Sequence, residues 1–75
     1  MKVTITDLEH DYFLHLKNQG FSCYGEIFFK GPTVDITLYD SCVVNTIPPS
    51  GLIQIVHFSD IYLISVNRFR SLTIE

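Results

Sequence analysis

Three histidines and eight carboxylates are the side chains of this 75-residue sequence with the widest chemical repertoire. Brought together, such groups act as general acids and bases or as metal ligands. The candidates are His10, His15 and His57, with the carboxylates of Asp7, Glu9, Asp11, Asp35 and Asp60. The sequence has no His-x-x-x-His or His-Glu-x-x-His spacing, and the adjacent Glu9, His10 and Asp11 point in different directions on a short helix. We therefore predict that the chain is not an enzyme and holds no metal ion or cofactor.

The two cysteines, Cys23 and Cys42, are nineteen residues apart and fit no zinc-binding spacing. Neither has an adjacent Lys, Arg or His that would activate it as a nucleophile. Reduced, half-buried thiols of this kind are usual in the cytosol and the nucleus, so we expect a structural role for both.

The composition favours a small domain that binds a partner. Hydrophobic residues make up 47% of the sequence and charged residues 17%, with four Tyr and six Phe. A chain of this length buries only about 60% of its unfolded surface, so part of this apolar material must stay exposed unless a partner covers it. The net charge of −3 offers no basic footprint for nucleic acid. No apolar run approaches eighteen residues, so we expect no membrane span.

Turn signals divide the sequence into short segments rich in β-branched and aromatic residues, which is typical of a mainly β domain. The capping-box spacing Thr6-x-x-Glu9 predicts a helix at about 6–11. Pro48-Pro49 predicts a break in the strands. We expect a single domain over 1–75, in which a five-stranded, strongly bent antiparallel SH3-like barrel covers about 12–66 and a C-terminal tail covers 67–75. The five strands are predicted at about 12–18, 21–30, 33–44, 52–58 and 61–66.

Two positions in the first half need separate interpretation. Residues 12–17 alternate as a strand would, but Leu8, Tyr12, Phe13 and Leu16 are also at helical spacing, so a helix that continues through Lys17 remains an alternative. Gly25 lies within the predicted second strand and has no side chain to pack, which indicates a bulge or sharp bend there.

Three segments carry a family resemblance: 14–27 with Gly25, 33–42 with Leu38, and 52–64 with Ile61. In order, they resemble the opening hairpin, the third strand and the second sequence motif of the Sm-like (LSm) family. The resemblance covers most of the chain and implies a divergent Sm-like barrel.

The departures from that family fall on its RNA-binding positions. The base-binding Asn is matched here by Asp35, and the Arg-Gly pair by His57-Phe58. An ionised Asp only accepts hydrogen bonds, and His lacks the fixed cationic fork of Arg. Asp35 and His57 thus read as degenerate RNA-pocket positions, and we expect direct RNA binding to be weak or absent.

An Sm-like barrel that keeps its pairing strands but lacks its RNA-binding residues is similar to the Gemin-type Sm-fold subunits of the survival-of-motor-neuron (SMN) complex. The resemblance implies a subunit of a larger complex, in cytoplasm and nucleus, that assembles spliceosomal small nuclear ribonucleoproteins and pairs by edge strands with another Sm-fold protein. The two segments that flank Ser59-Asp60 contain no Lys, Arg or Pro to block an incoming strand. Which of their residues face inward is open, because a one-residue shift exchanges the faces. The interface candidates are Ile53, Ile55, His57, Phe58, Ile61, Leu63 and Ile64.

Two other functions remain open from the sequence. One is an RNA-binding Sm-like ring subunit, for which Arg68-Phe69-Arg70 offers a basic-aromatic contact. The other is a small SH3-like inhibitor or adaptor protein.

Overall fold

The computed structural model describes residues 2–47 and 51–75, and the break predicted at Pro48-Pro49 lies outside them. Seven strands, one α-helix and one 3-10 turn follow one another in the described residues. They are β1 (Val3–Glu9), α1 (His10–Asn18), β2 (Tyr24–Phe29), β3 (Thr33–Leu38), β4 (Cys42–Ile47), β5 (Leu52–His57), β6 (Asp60–Ser65), the 3-10 turn (Val66–Arg68) and β7 (Ser71–Ile74). No helix in the described part of the chain is long and apolar enough to cross a membrane.

The strands form two antiparallel sheets, one of four strands in the order β2-β3-β1-β7 and one of three in the order β4-β5-β6. The prediction of a mainly β fold is confirmed. The single five-stranded sheet is not observed, since no strand pairing within residues 2–47 and 51–75 joins the two sheets into a closed barrel. The predicted third strand, 33–44, is interrupted at residues 39–41, and its two halves lie in different sheets.

The predicted order of elements at the N-terminus, a helix followed by a strand, was wrong. Residues 3–9 form β1 in the middle of a sheet, and the helix begins only at His10. The Thr6-x-x-Glu9 capping box does not form: Glu9 is the N-cap but makes no side-chain capping bond, and its Oε1 accepts from Arg68 at 3.1 Å. Residues 12–18, predicted as a strand, are helical, because the helix buries Phe13 and Leu16 on one face. The alternative of a helix that continues through Lys17 is confirmed.

The tail predicted at 67–75 contains a strand. β7 pairs antiparallel with β1, and backbone hydrogen bonds between Lys2 and Glu75 continue the ladder. The alternation of Ser71, Leu72, Thr73 and Ile74 is the sequence signal for it. Leu72 packs against the core, which ties the C-terminal residues to the first strand.

The core lies between the two sheets, and α1 contributes Phe13 and Leu16 to it. Phe13 and Phe21 are the largest fully buried side chains. The bulge predicted at Gly25 is confirmed as a register shift between Tyr24 and Glu26, where a Cβ on Gly25 would meet the Tyr39 ring at 3.4 Å. The remaining buried residues are Val3, Ile5, Leu8, Cys23, Val34, Ile36, Leu38, Cys42, Ile53, Ile55 and Ile64.

Candidate protein-interaction surface

One row of side chains on the outer face of the three-stranded sheet is apolar, while Asn45 and Gln54 pair in the next row. Ile53, Ile55 and Ile64 face the core, so the alternate residues of these strands face out. One outer row joins Val43 of β4, Val56 of β5 and Ile61 of β6. Val43 is 53% exposed and Ile61 is 60% exposed. Apolar residues that are this exposed on adjacent strands are typical of an interaction surface.

The outer face of the other sheet is mostly polar, although Phe28, 65% exposed, lies on its β2 edge. This face carries a row of three threonines, Thr37, Thr4 and Thr73, on β3, β1 and β7. Asp35, on the same face of β3, pairs with Phe28 at the edge. Most of this face is polar and suits water, whereas the apolar row lies on the three-stranded sheet.

Strand β6 is an edge strand whose outward backbone groups can be assigned. His57 and Asp60 pair across the two-residue turn Phe58-Ser59. Hydrogen-bonded pairs recur at every second residue from such a turn, so the N–H and C=O groups of Ile61, Leu63 and Ser65 point away from β5. The structure agrees, because the Ser65 N–H donates to the hydroxyl of Tyr12, on the helix, at 3.1 Å. In the described residues, the backbone groups of Ile61 and Leu63 have no such acceptor or donor.

The side chains along this edge do not protect it. Edge strands are usually blocked by Lys, Pro, a bulge or inward-pointing charge. In β6, Asp60 is the charged residue and lies at the turn end, while Ile61 and the 50% exposed Leu63 lie beside the open backbone groups. The edge therefore combines free hydrogen-bonding groups with exposed apolar side chains.

Tyr12 limits the open edge at its other end. Its hydroxyl satisfies the Ser65 N–H, and its ring carries the Arg68 guanidinium 5.5 Å from the centroid. Tyr62, on the inner face of β6, donates through its hydroxyl to the Gly20 carbonyl at 3.0 Å. These contacts hold β6 against the helix and leave Ile61 and Leu63 open. Nothing in the sequence indicated them, because the partners are 53 and 42 positions apart.

The predicted interface residues separate into two groups. Ile53, Ile55 and Ile64 are core residues, and β5 is the middle strand of its sheet, so it cannot add to a partner's sheet. The other four candidates, His57, Phe58, Ile61 and Leu63, are half-buried or exposed. Of β5 and β6, which carry the predicted residues, β6 is the edge strand, and the side chains that can contact a partner lie at its turn and on its outer face.

Phe58 at the β5–β6 turn has an unusual backbone. Its φ is +55°, which is unfavourable for a bulky residue, and its side chain is 80% exposed. Its ring meets His57 edge-on at 4.6 Å, and His57 stacks on Tyr39 at 6.3 Å. Strained backbone of this kind persists where surrounding structure holds it and is frequent at functional sites.

The two positions matched to the RNA pocket have separate surroundings. The Asp35 carboxylate accepts from the Asp7 N–H at 2.9 Å and from Lys30 at 3.3 Å. His57 contacts Tyr39 and Phe58 in the other sheet. No contact in the described part of the chain joins Asp35 to His57, which lie in different sheets.

Asp7 is the centre of a charged cluster that stabilises a bulge in β1. Its φ is +56°, at the register shift between Ile5 and Leu8. Lys30 donates to its carboxylate and Arg70 lies 3.8 Å from it. The Lys30 hydrogen bond is the main cause that lowers the pKa of Asp7 below its ordinary value, and the same bond raises the pKa of Lys30. The cluster has a structural explanation and lies away from β6.

The remaining candidate chemical groups are dispersed. His10 lies 3.7 Å from Asp11, and His15 bonds Gln19. Residues 2–47 and 51–75 contain no group of three His, Cys, Asp or Glu that could hold a metal ion. The Cys42 thiol donates to the Cys23 carbonyl at 3.3 Å, and burial, with Cys42 nearby, raises the pKa of Cys23 to about 12. Both thiols are buried rather than half-buried as predicted.

Comparison with family models, with curated proteins and with solved structures found no match to this chain.

Proposed function

We propose that this chain is a non-catalytic protein-interaction subunit that adds β6 as an edge strand to the sheet of a partner. The observation that carries the proposal is the coincidence, at Ile61 and Leu63, of outward backbone groups and exposed apolar side chains. In strand addition, main-chain hydrogen bonds supply affinity and alternate side chains supply specificity. Both components are present along β6.

The partner class follows from the resemblance to the Sm-like family. We propose another Sm-fold protein, within the complex that assembles spliceosomal small nuclear ribonucleoproteins. The proposal includes the finer architecture, in which the two sheets are halves of a divergent Sm-like barrel. A helix before the β2–β3 hairpin, a bulge at Gly25 and the tight turn between β5 and β6 support it.

The surroundings of Asp35 favour this role over an RNA-binding ring subunit. Its Oδ1 already accepts from Lys30 and from the Asp7 N–H, so structural contacts within the four-stranded sheet orient the carboxylate. Such a group also repels phosphate.

Amide hydrogen exchange tests the proposal at the level of the strand. The amides of Ile61 and Leu63 should exchange fast in the free chain at low concentration and become protected when a purified Sm-fold partner is added. Val44 and Thr46 on β4 are the control, because the alternation places their N–H groups outward on the opposite edge. Binding that protects β4 and leaves β6 unchanged would refute the β6 assignment. Absence of binding to every Sm-fold protein tried would refute the partner class.

A further inference from the structure

We propose that a second copy of this chain occupies the β6 edge, so that two β6 strands pair antiparallel about a two-fold axis. The inference rests on the proposed function, since it uses the same strand, and it names a partner for it. Joining the two edges would make one continuous sheet of six strands from two three-stranded sheets.

The backbone groups of β6 fit one two-fold register. With the axis at Tyr62, Ile61 of each copy lies opposite Leu63 of the other, and each such pair exchanges two N–H···O bonds. The interface therefore gains about four main-chain hydrogen bonds. An axis at Leu63 would need the Ser65 N–H, which Tyr12 already occupies. Tyr12 thus excludes the register centred on Leu63, and an axis at Ile61 would set Leu63 opposite Ser59 of the turn, outside the strand. The register centred on Tyr62 is the one that pairs both open residues of each β6.

The side chains are self-complementary in this register. Ile61 and Leu63 are the exposed residues of the β6 outer face, and each meets the other across the axis. The apolar row that ends at Ile61 continues into the neighbouring copy, next to Leu63. Cross-strand pairs of branched apolar side chains stabilise a sheet.

Charge selects the antiparallel orientation. Asp60 is the charged residue of β6, and a parallel pair would place the two carboxylates side by side. In the antiparallel register they lie four residues apart along the strand direction, roughly 14 Å, beyond the screening length at physiological salt. β6 contains no Lys or Arg, so the strand offers no specific attraction to an acidic partner.

The expected dimer is weak. An interface of one short edge pair falls below the roughly 1,200 Å² that stable complexes bury, so we expect a dissociation constant of about 10–100 μM. Sedimentation equilibrium from about 5 to 500 μM should then show the mass rising from 8.6 kDa toward twice that value. A chain that stays monomeric over the whole range overturns the inference.

Leu63→Pro is the main test variant, because proline removes an N–H that points away from β5 and leaves the β5–β6 ladder intact. Thr46→Pro is its matched control, since the Thr46 N–H points outward on the opposite edge of the same sheet. We expect Leu63→Pro to be monomeric and Thr46→Pro to dimerise as the wild type does. The reverse result would overturn the assignment to β6.

Leu63→Lys covers the case in which Leu63→Pro fails to fold. It keeps the backbone donor but sets two cations about 7 Å apart across the axis, so we expect the dissociation constant to rise at least tenfold. An unchanged constant would count against the inference. Binding to an Sm-fold partner is measured in a separate hydrogen-exchange experiment. A chain that does not dimerise would therefore leave the proposed function to be decided by that experiment.

Discussion

Phe58 shows that a single residue can be unfavourable for the fold and yet be kept at an exposed position. Its positive φ suits Gly, Asn or Asp far better than Phe, and the tight hairpin turn imposes it. Its ring contributes little to the core, because it is mostly exposed. We interpret the exposed ring as part of the partner surface at the turn end of β6.

Replacing Phe58 should therefore separate strain from the ring contact. Phe58→Gly and Phe58→Ala both lose the contact with His57, but only glycine removes the cost of a Cβ at positive φ. We expect the free energy of unfolding of Phe58→Gly to exceed that of Phe58→Ala by about 1 kcal/mol. Urea denaturation of the two variants measures the difference. Equal stabilities would show that the turn is unstrained.

The lowered pKa of Asp7 predicts how the free energy of unfolding changes in acid. Because its pKa in the folded state lies below the ordinary value of 3.8, its ionised form stabilises the protein above about pH 4. That contribution is lost as the pH falls from about 4 through the lowered pKa. Lys30 acts oppositely: its pKa is raised above 10.5, so its contribution is lost only as the pH rises past that value.

Asp7→Asn should remove the Asp7 part of this acid dependence. Asn tolerates a positive φ as Asp does, so the bulge is kept while the charge is lost. We expect the stability of the variant between pH 5 and pH 2 to fall less than that of the wild type. Glu26→Gln is the control, because Glu26 is exposed and lies outside the cluster. A steeper fall in Asp7→Asn than in the wild type would contradict the assigned cause.

Among the strands of the C-terminal half, the sequence predicted β5 and β6 closely but missed β7. The strands at 52–58 and 61–66 correspond to β5 and β6, because β-branched runs there are bounded by clear turn signals. Residues 3–18 were mispredicted, since the helical spacing of 8–16 competes with alternation and the capping-box letters fall inside β1, whereas β2 and β3 lie within the predicted strands 21–30 and 33–44. Only the strand partners decide that competition, and a single sequence does not contain them.

The candidate surface was predicted in the same uneven way. The sequence identified Ile61 and Leu63 but could not choose between them and the buried Ile64, because facing depends on register. The tyrosine that ends the open edge was not foreseeable. Its role arises where α1 meets β6, far apart in the chain.

Tyr12→Phe tests that junction of helix and strand. Loss of the hydroxyl leaves the Ser65 N–H without its acceptor, so we expect the free energy of unfolding to fall by about 1 kcal/mol. The Ser65 amide should also exchange faster. Tyr24→Phe is the matched control, because among the described residues Tyr24 makes contacts through its ring and no hydrogen bond through its hydroxyl. A protected Ser65 amide in Tyr12→Phe would show that another group covers this end of the edge.

The distribution of charge over the protein argues against RNA binding. Three of the five basic residues are paired with carboxylates: Lys30 and Arg70 with Asp7, and Arg68 with Glu9. With a net charge of −3, few cations remain to release counterions from a phosphate chain. The apolar row of Val43, Val56 and Ile61 and the open edge of β6, by contrast, carry no basic side chain.

A double variant that restores the family's RNA-binding side chains decides between a protein-interaction subunit and an RNA-binding ring subunit. Asp35→Asn with His57→Arg would rebuild the base pocket if the two positions met, but Asp35 and His57 lie in different sheets with separate contacts. We therefore expect uridine-rich oligomers to bind neither the wild type nor the double variant at physiological salt, in a gel-shift titration to about 100 μM. A gain of tight binding in the double variant would mean that the two positions share a pocket, and the chain would then be a ring subunit that has lost its ligands.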